Sequence, residues 1–451
     1  MTMATKRLPL TAAALLLFPL SGVYAQEPPR GSTLAGATMT PLPALGGERV
    51  SSGSAFNPDI SVIIDTVYLN EFSGHVGTPA GFGGGHDHGH DHGHDHDHGH
   101  HHGHGLEEGF NFRSAELTFT ASVDHYFDAL LTLHLDEDHV EVEEAYITTR
   151  SLPAGLQIKA GKFLSDIGYI NAQHTHDWAF VDRPLVNEYL FGDHGLQEKG
   201  VQLTWTPKTA FYSVFGLELL QGETAGIASY EGHGEGKPFS DKSGPRLITG
   251  FAKLAPDLGY NHAAQFGLSY GHARAFQLSD FHDHGDHGHR LSWDGTAWFA
   301  GVDAVYKYDA GRSFGHGDWV VQGEYYHREI DVDFRNNQRP PVSGVARQDG
   351  LYVQAVYGIA PRWQFGVRAD ALGMTNRNTL QWMGHGHQGY ESFGTSYRYA
   401  ANLTFRPTEF SLLRAQVNRT DFAGEDDHDE DGWAFMLQFQ VALGVHGAHR
   451  F

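Results

Sequence analysis

The chain of 451 residues contains no cysteine. That excludes a disulfide framework, thiolate zinc fingers, iron–sulfur clusters and cysteine nucleophiles. Basic residues are scarce: 31 Lys and Arg stand against 54 Asp and Glu, for a formal charge of −23 with histidine neutral. Phosphate binding needs Lys and Arg, so nucleic acid is not an expected partner, whereas cations are. Past the first 25 residues no run approaches the roughly 20 apolar residues of a transmembrane helix. H-E-x-x-H is absent and no Ser/His/Asp arrangement stands out, so an enzyme is not expected.

What is present is a 40% hydrophobic and 12% aromatic chain, which rules out wholesale disorder. Lys6 and Arg7 precede an apolar run from Leu8 to Leu20, and small residues lead to a cleavage site after Ala25. This pattern predicts a secretory signal peptide over 1–25, and with no lipobox cysteine the exported chain is not a lipoprotein. Residues 26–59 are rich in Pro, Gly, Ser and Thr and read as a flexible N-terminal segment with no plug domain.

From Ile60 onward the dominant signal is alternation with period two. Ala115, Leu117, Phe119 and Ala121 alternate with Ser114, Glu116, Thr118 and Thr120; Phe435, Leu437, Phe439 and Val441 alternate with Met436, Gln438 and Gln440. Sixteen such strands are predicted, over 60–70, 112–123, 128–136, 141–150, 156–163, 199–206, 210–219, 246–255, 263–272, 292–308, 318–330, 350–359, 363–373, 395–406, 409–418 and 432–443. A strand with one apolar face suits a soluble sandwich or a barrel with lipid outside and water inside.

Loop lengths decide between these. Short connections such as Asp124–Phe127, Pro207–Thr209 and Ala360–Arg362 alternate with long ones through 71–111, 164–198, 220–245, 273–291, 331–349, 374–394 and 419–431; only 137–140 breaks the pattern. Short turns on one side and long loops on the other are the signature of an outer-membrane barrel. The predicted fold is therefore all-β: over 60–451, a transmembrane antiparallel β-barrel of about 16 strands in the outer membrane of a Gram-negative bacterium. Its partners are outer-membrane lipid and, by analogy with sixteen-stranded porins, two further copies in a homotrimer. Aromatic residues near strand ends, and Phe451 at the end of the chain, fit interfacial girdles. Glu116, Lys159, Arg368, Asp370 and Arg398 are predicted to face a lumen where charge stays hydrated.

The histidines number 32, and every cluster of them falls in a connection of the long set. The tract Gly85–Gly105 carries His86, His88, His90, His92, His94, His96, His98, His100, His101, His102 and His104, interleaved with Asp87, Asp91, Asp95 and Asp97. His282, His284, His287 and His289 form a second cluster, His385 and His387 a third, and His174 and His176 with Asp177 a fourth; His428 sits among acidic residues. Neutral imidazole beside carboxylate is a donor set for Zn²⁺, Cu²⁺ or Ni²⁺. An unperturbed pKa of about 6.5 leaves most such imidazoles free to bind at neutral pH. A solvated low-complexity tract, or a pH-responsive brush, is the plainer alternative. Isolated His125, His134, His262, His272, His316, His327, His446 and His449 read as lumen, turn or interface residues.

The connection 164–198 is too apolar for a surface loop, with Ile167, Tyr169, Ile170, Trp178, Phe180, Leu185 and Phe191 needing burial. It is predicted to fold into the barrel and narrow it. His174, His176, Asp177 and Asp182 would then stand near the constriction, either as a second, ordered metal site or as histidines that merely satisfy hydrogen bonds.

The stretches GFNFRSAELTFTASVDHYFDALLTL (109–133) and VEEAYITTRSLPAGLQIKAGKFLSDIGYINAQHTHDWAFVDRPLV (142–186), with the His-rich loops, resemble a bacterial family. It is usually labelled zinc-regulated TonB-dependent outer-membrane receptor, with a barrel like that of phosphate-selective porins. The resemblance implies a role in zinc uptake under zinc limitation. TonB-dependent receptors have a folded plug and roughly 22 strands, and this chain shows neither, so TonB coupling is not expected and diffusion through the barrel is. Phosphate-selective porins need a Lys/Arg-lined path, and with 54 acidic against 31 basic residues anion selectivity is not expected. The functional expectation is an outer-membrane channel or receptor for a divalent transition metal, most simply zinc, with no prosthetic group. The alternative is a surface metal-buffering protein or adhesin anchored by a non-conducting barrel.

Overall fold

A strand in lipid must pair all its backbone N–H and C=O groups and turn an apolar face outward, which only a closed barrel of alternating strands achieves. The computed structural model describes residues 58–74, 76–82, 106–137, 139–234, 237–282, 289–336, 339–378, 391–424 and 430–444. Within them lie β1 (Asp59–Ser73), β2 (Gly109–Ser122), β3 (Phe127–Leu135), β4 (Val140–Thr149), β5 (Leu156–Leu164), β6 (Gln197–Trp205), β7 (Tyr212–Leu220) and β8 (Leu247–Ala255). The second half supplies β9 (His262–His282), β10 (His289–Tyr308), β11 (Trp319–Asn336), β12 (Arg339–Ala360), β13 (Trp363–Asn378), β14 (Ser396–Thr408), β15 (Ser411–Phe422) and β16 (Glu430–Gly444). Each strand pairs antiparallel with its sequence neighbours, and β1 pairs with β16 from Ser61↔Gly444 to Ser73↔Trp433, closing a sixteen-stranded barrel. Short paired pieces at Glu391–Ser392 and at His233–Gly234 with Lys237–Pro238 add to this frame. All sixteen predicted strands are present. No helix among the described residues is long and apolar enough to cross a membrane.

The outer face carries Val201, Leu203, Phe215, Leu217, Leu268, Val302, Val353 and Val367, all exposed. Exposed apolar surface on this scale needs a nonaqueous partner, which here is lipid. Aromatic pairs flank it at both rims: Trp205–Phe215 and Trp363–Phe405 (ring centroids 5.8 and 4.6 Å apart) at the short-turn rim, Phe72–Trp433 and Tyr270–Trp298 (6.4 and 6.3 Å) at the other.

Two expectations need correction. The connections predicted through 273–291 and 331–349 are mostly strand: β9 runs to His282, and β11 and β12 run to Asn336 and from Arg339. Their alternation persists but its polarity inverts. On β11 the lumen side carries Gln322, Glu324 and Arg328 and then Ile330, Val332 and Phe334, while the outward side passes from Val321 and Tyr325 to Glu329, Asp331 and Asp333. Above the lipid the outward face must be polar, so a search for one apolar phase loses the strand there.

The second correction concerns the lumen charges. Glu116, Lys159, Arg368, Asp370 and Arg398 do face inward, but they are not hydrated: the side chains of Arg368 and Asp370 are 0% exposed. They are covered by the connection between β5 and β6, which folds into the barrel as predicted. Ile167, Leu185, Val186 and Leu190 of this segment have no exposed surface and pack against Tyr326, Tyr352, Phe299 and Leu372 of the wall. Each such side chain contributes about 1.5–3 kcal/mol.

Candidate functional site

The inserted segment, residues 165–196, has little secondary structure of its own: a 3₁₀ turn at Thr175–Asp177 and the helix α1, Leu185–Phe191. Buried backbone groups must still be paired, and wall carboxylates do much of this. Glu144 accepts from the Leu164 amide (2.9 Å), Glu218 from Asp166 (3.2 Å), Glu324 from Ile170 (2.7 Å) and Asp370 from Leu185 at the start of α1 (3.1 Å). Gly168 makes the first corner at φ +58, with Glu324 and the Tyr326 hydroxyl against the place a Cβ would take, so only glycine fits. Asn171 ties the ends together, donating to the Ser165 and Leu196 carbonyls and accepting from the Leu196 amide.

The path from Gln173 to Asp177 lays two imidazoles against β2 and β4. His176 Nδ1 is 2.9 Å from Glu116, and His174 Nε2 is 2.9 Å from Glu144, while His174 Nδ1 stands 3.2 Å from Glu143 and 3.5 Å from Glu116. The rings stack with centroids 5.6 Å apart. Asp177 stands at the edge, 3.5 Å from His176 Nε2. Adjacent strand residues ordinarily face opposite sides, so Glu143 and Glu144 could not both face the lumen on a regular strand. A β-bulge resolves this: Thr132 pairs with Glu144 and Leu133 with Val142, leaving Glu143 as the extra residue, turned inward. Burial alone would push both imidazoles down, but Glu116 and its neighbours outweigh it and hold His174 well above, and His176 above, the usual 6.5.

One donor atom each from Glu116, Glu143 and His174 lies within 4.8 Å of the others. With His176 beside them, the set offers imidazole nitrogen and carboxylate oxygen, the chemistry of first-row divalent ions. Glu144 on the far nitrogen of His174 is the carboxylate that orients a ligating ring.

Six residues past His176, the chemistry reverses. Asp182 accepts from Arg368 (2.7 Å), Arg398 (3.0 Å), Gln416 (2.5 Å) and Asn418 (3.1 Å), and Glu188 lies 3.5 Å from Arg398. The Val181 amide donates to Gln416, and Arg414 donates to the Trp178 carbonyl.

Of the predicted ligands, His174, His176 and Asp177 come together. His282 and His289 are directly paired end residues of β9 and β10. His86, His88, His90, His92, His94, His96, His98, His100, His101, His102, His104, His284, His287, His385 and His387 lie outside the described residues, as do the predicted signal peptide and most of the N-terminal segment. Glu116, Glu143 and Glu144 were not foreseen as members of this cluster: they sit 30 to 60 residues from their histidines, and nothing in the sequence marks the bulge. Of the isolated histidines, His125 lies on the Tyr126 ring, His262 on the Tyr306 hydroxyl and His327 beside Trp298, while His446 and His449 lie outside the described residues. The string Gly267–Gly271 matches G-x-S-x-G, but it lies inside β9 rather than at a strand-to-helix turn, and Ser269 accepts the Gly168 amide.

No family model matches the chain. Among solved structures, the outer membrane channel DcaP of Acinetobacter baumannii superposes with a TM-score of 0.50 at 10% identity, over 87% of this chain and 99% of that one. OmpT, an outer membrane protein of Vibrio cholerae, gives 0.49 at 10% identity over 88% of this chain and 100% of its own. The DcaP likeness bears on the fold alone. A protein of Aquifex aeolicus (strain VF5), described as an uncharacterized protein, is 34% identical over 429 residues, which is 90% of this chain and 83% of that protein. An identity sustained from end to end of a barrel leaves no room for a shared fold without shared descent, and the chain belongs to the family of this Aquifex aeolicus protein.

Proposed function

We propose that the chain is an outer-membrane channel for divalent transition-metal ions, zinc foremost. In this reading 1–25 is removed on export, the His/Asp-rich connections face the cell exterior and gather ions, and the barrel assembles as a trimer. The lumenal cluster of Glu116, Glu143, Glu144, His174 and His176 is the station through which an ion passes. One observation carries the reading: three separate parts of the chain converge imidazoles and carboxylates on one point inside the barrel. The bulge turns a second glutamate inward, and carboxylates buried together need a positive partner, which protonated imidazoles supply in the metal-free protein and a divalent ion can supply in their place.

A second reading is a surface metal-buffering protein on a non-conducting anchor. It is favoured by the filling of the lumen, where Arg183 and Asp182 are each 2% exposed. Proteoliposomes loaded with a zinc-sensitive dye separate the two. Channel function predicts zinc entry through the wild-type protein well above that of protein-free liposomes, whereas an anchor admits no zinc.

A further inference from the structure

We infer that the ion bound at the lumenal cluster fastens the inserted segment to the barrel wall, so that residues 165–196 form a plug with a metal latch. The inference rests on the metal-binding reading of the cluster and adds what binding does to the barrel.

The donors belong to two bodies. His174 and His176 are on the segment; Glu116, Glu143 and Glu144 are on β2 and β4. An ion coordinated by both sets is bound only while the segment is docked. Any displacement of residues 174–176 into the lumen parts the nitrogens from the oxygens and surrenders most of the binding energy. A ligand that binds one of two states shifts the balance toward it by its differential affinity. At about ten times its Kd, such an ion multiplies the docked-to-displaced ratio by roughly eleven.

Docking also decides whether the barrel is open. With the segment in place, every one of the sixteen strands carries at least one lumen-facing residue less than one-tenth exposed, from Asp65 on β1 through Glu218 on β7 and Glu324 on β11 to Gln438 on β16. In a water-filled channel such residues would be wet. In this account a solute crosses by moving the segment. The segment is suited to moving as a piece: its only helix is seven residues long, Asn171 bridges its two ends, and its remaining anchors are side chains of the wall. The grip at Asp182 is made by guanidinium and amide groups and needs no metal. The grip at 174–176 is the one an ion can make or release.

The test uses the full-length protein in planar bilayers with potassium chloride as the current carrier. With a chelator present the wild type is expected to show open events, and zinc at about ten times its Kd should cut their occupancy roughly elevenfold. H174A/H176A should gate alike with zinc and with chelator. A covalent latch then separates docking from simple block by a bound ion. The chain has no cysteine, so E116C/H176C offers one thiol on each body for a short bis-methanethiosulfonate linker. The linked protein should be shut with no metal present, and dithiothreitol should reopen it. A linked barrel that conducts as well as the reduced one overturns the plug. Zinc binding by equilibrium dialysis is read in parallel on wild type and H174A/H176A. Zinc bound by the wild type with no change in gating overturns the latch and leaves the site, whereas no difference in binding between the two overturns the site itself.

Discussion

Two neighbouring stretches of the inserted segment are held to the wall by opposite chemistry. At His174–Asp177 the segment brings imidazoles and the wall brings carboxylates. At Asp182–Glu188 the segment brings carboxylates and the wall brings arginines. Guanidinium stays charged at any accessible pH and binds carboxylate in a fixed fork, so the grip of Arg368 and Arg398 on Asp182 needs no exchangeable ion. Imidazole can trade a proton for an ion, so the first is exchangeable. A single strap thus combines a fixed anchor with an adjustable one, and the difference can be probed from either end.

The largest effect is expected at the fixed end. Asp182→Ala leaves Arg368 and Arg398 buried with a lost partner, a change of about 3–5 kcal/mol for breaking a buried pair. It should undock the segment, seen as protease cleavage within 165–196 while the barrel stays heat-resistant. If protection survives, the anchor is not at Asp182. Gly168→Ala comes next. Its φ of +58 and the closeness of Glu324 and Tyr326 leave no place for a methyl group, and strain of about 1–3 kcal/mol is expected. The same cleavage assay reads it, and an unchanged pattern would mean that this corner relaxes freely. At the exchangeable end, H174A/H176A should abolish the zinc-dependent part of protease protection and weaken the zinc-free part less, since in the absence of metal the histidines pair with Glu116 and Glu144. That outcome would sharpen the contrast; equal loss with and without zinc would erase it.

The smallest effect is on pH. Burial pushes the Glu188 carboxyl up to about 7, with Arg398 pulling against it. A carboxyl raised above its ordinary value of about 4.5 favours the docked state in its protonated form. Its contribution is complete below about pH 4.5 and is lost as the pH rises through about 7. The raised histidines of the metal-free protein act with the same sign. Protection should therefore weaken between pH 5 and pH 8, and Glu188→Gln should shallow that slope; a flat profile in the wild type would remove Glu188 from the anchor.

The strands were legible because lipid imposes a strict rule, apolar at every second residue, and sixteen segments obey it. Legibility stopped where the rule stops. Above the lipid the tall strands β9 to β12 reverse their polarity, so Ile330, Val332 and Phe334 read as the wrong phase of a loop. The inward fold of 165–196 was legible from its surplus of Ile, Leu, Phe and Trp, and its histidines from their pairing around Thr175. Their partners were not. Glu116 looked like any lumen charge, and Glu143 sits at a position whose direction depends on a pairing irregularity with β3. Nor could the sequence show that Arg368 and Asp370 would be sealed from water, since that depends on which loop lies over them.

That irregularity at Glu143 is a matter of one residue. A relative of this chain with a single deletion in β4 would keep sixteen strands and the same girdles, yet one of its two glutamates would be turned to face hydrocarbon or be gone. The number of glutamates turned toward the lumen can therefore drift in this family by insertion and deletion within one short strand, and the residue count between the Thr132 and Glu144 equivalents would tell which members keep both.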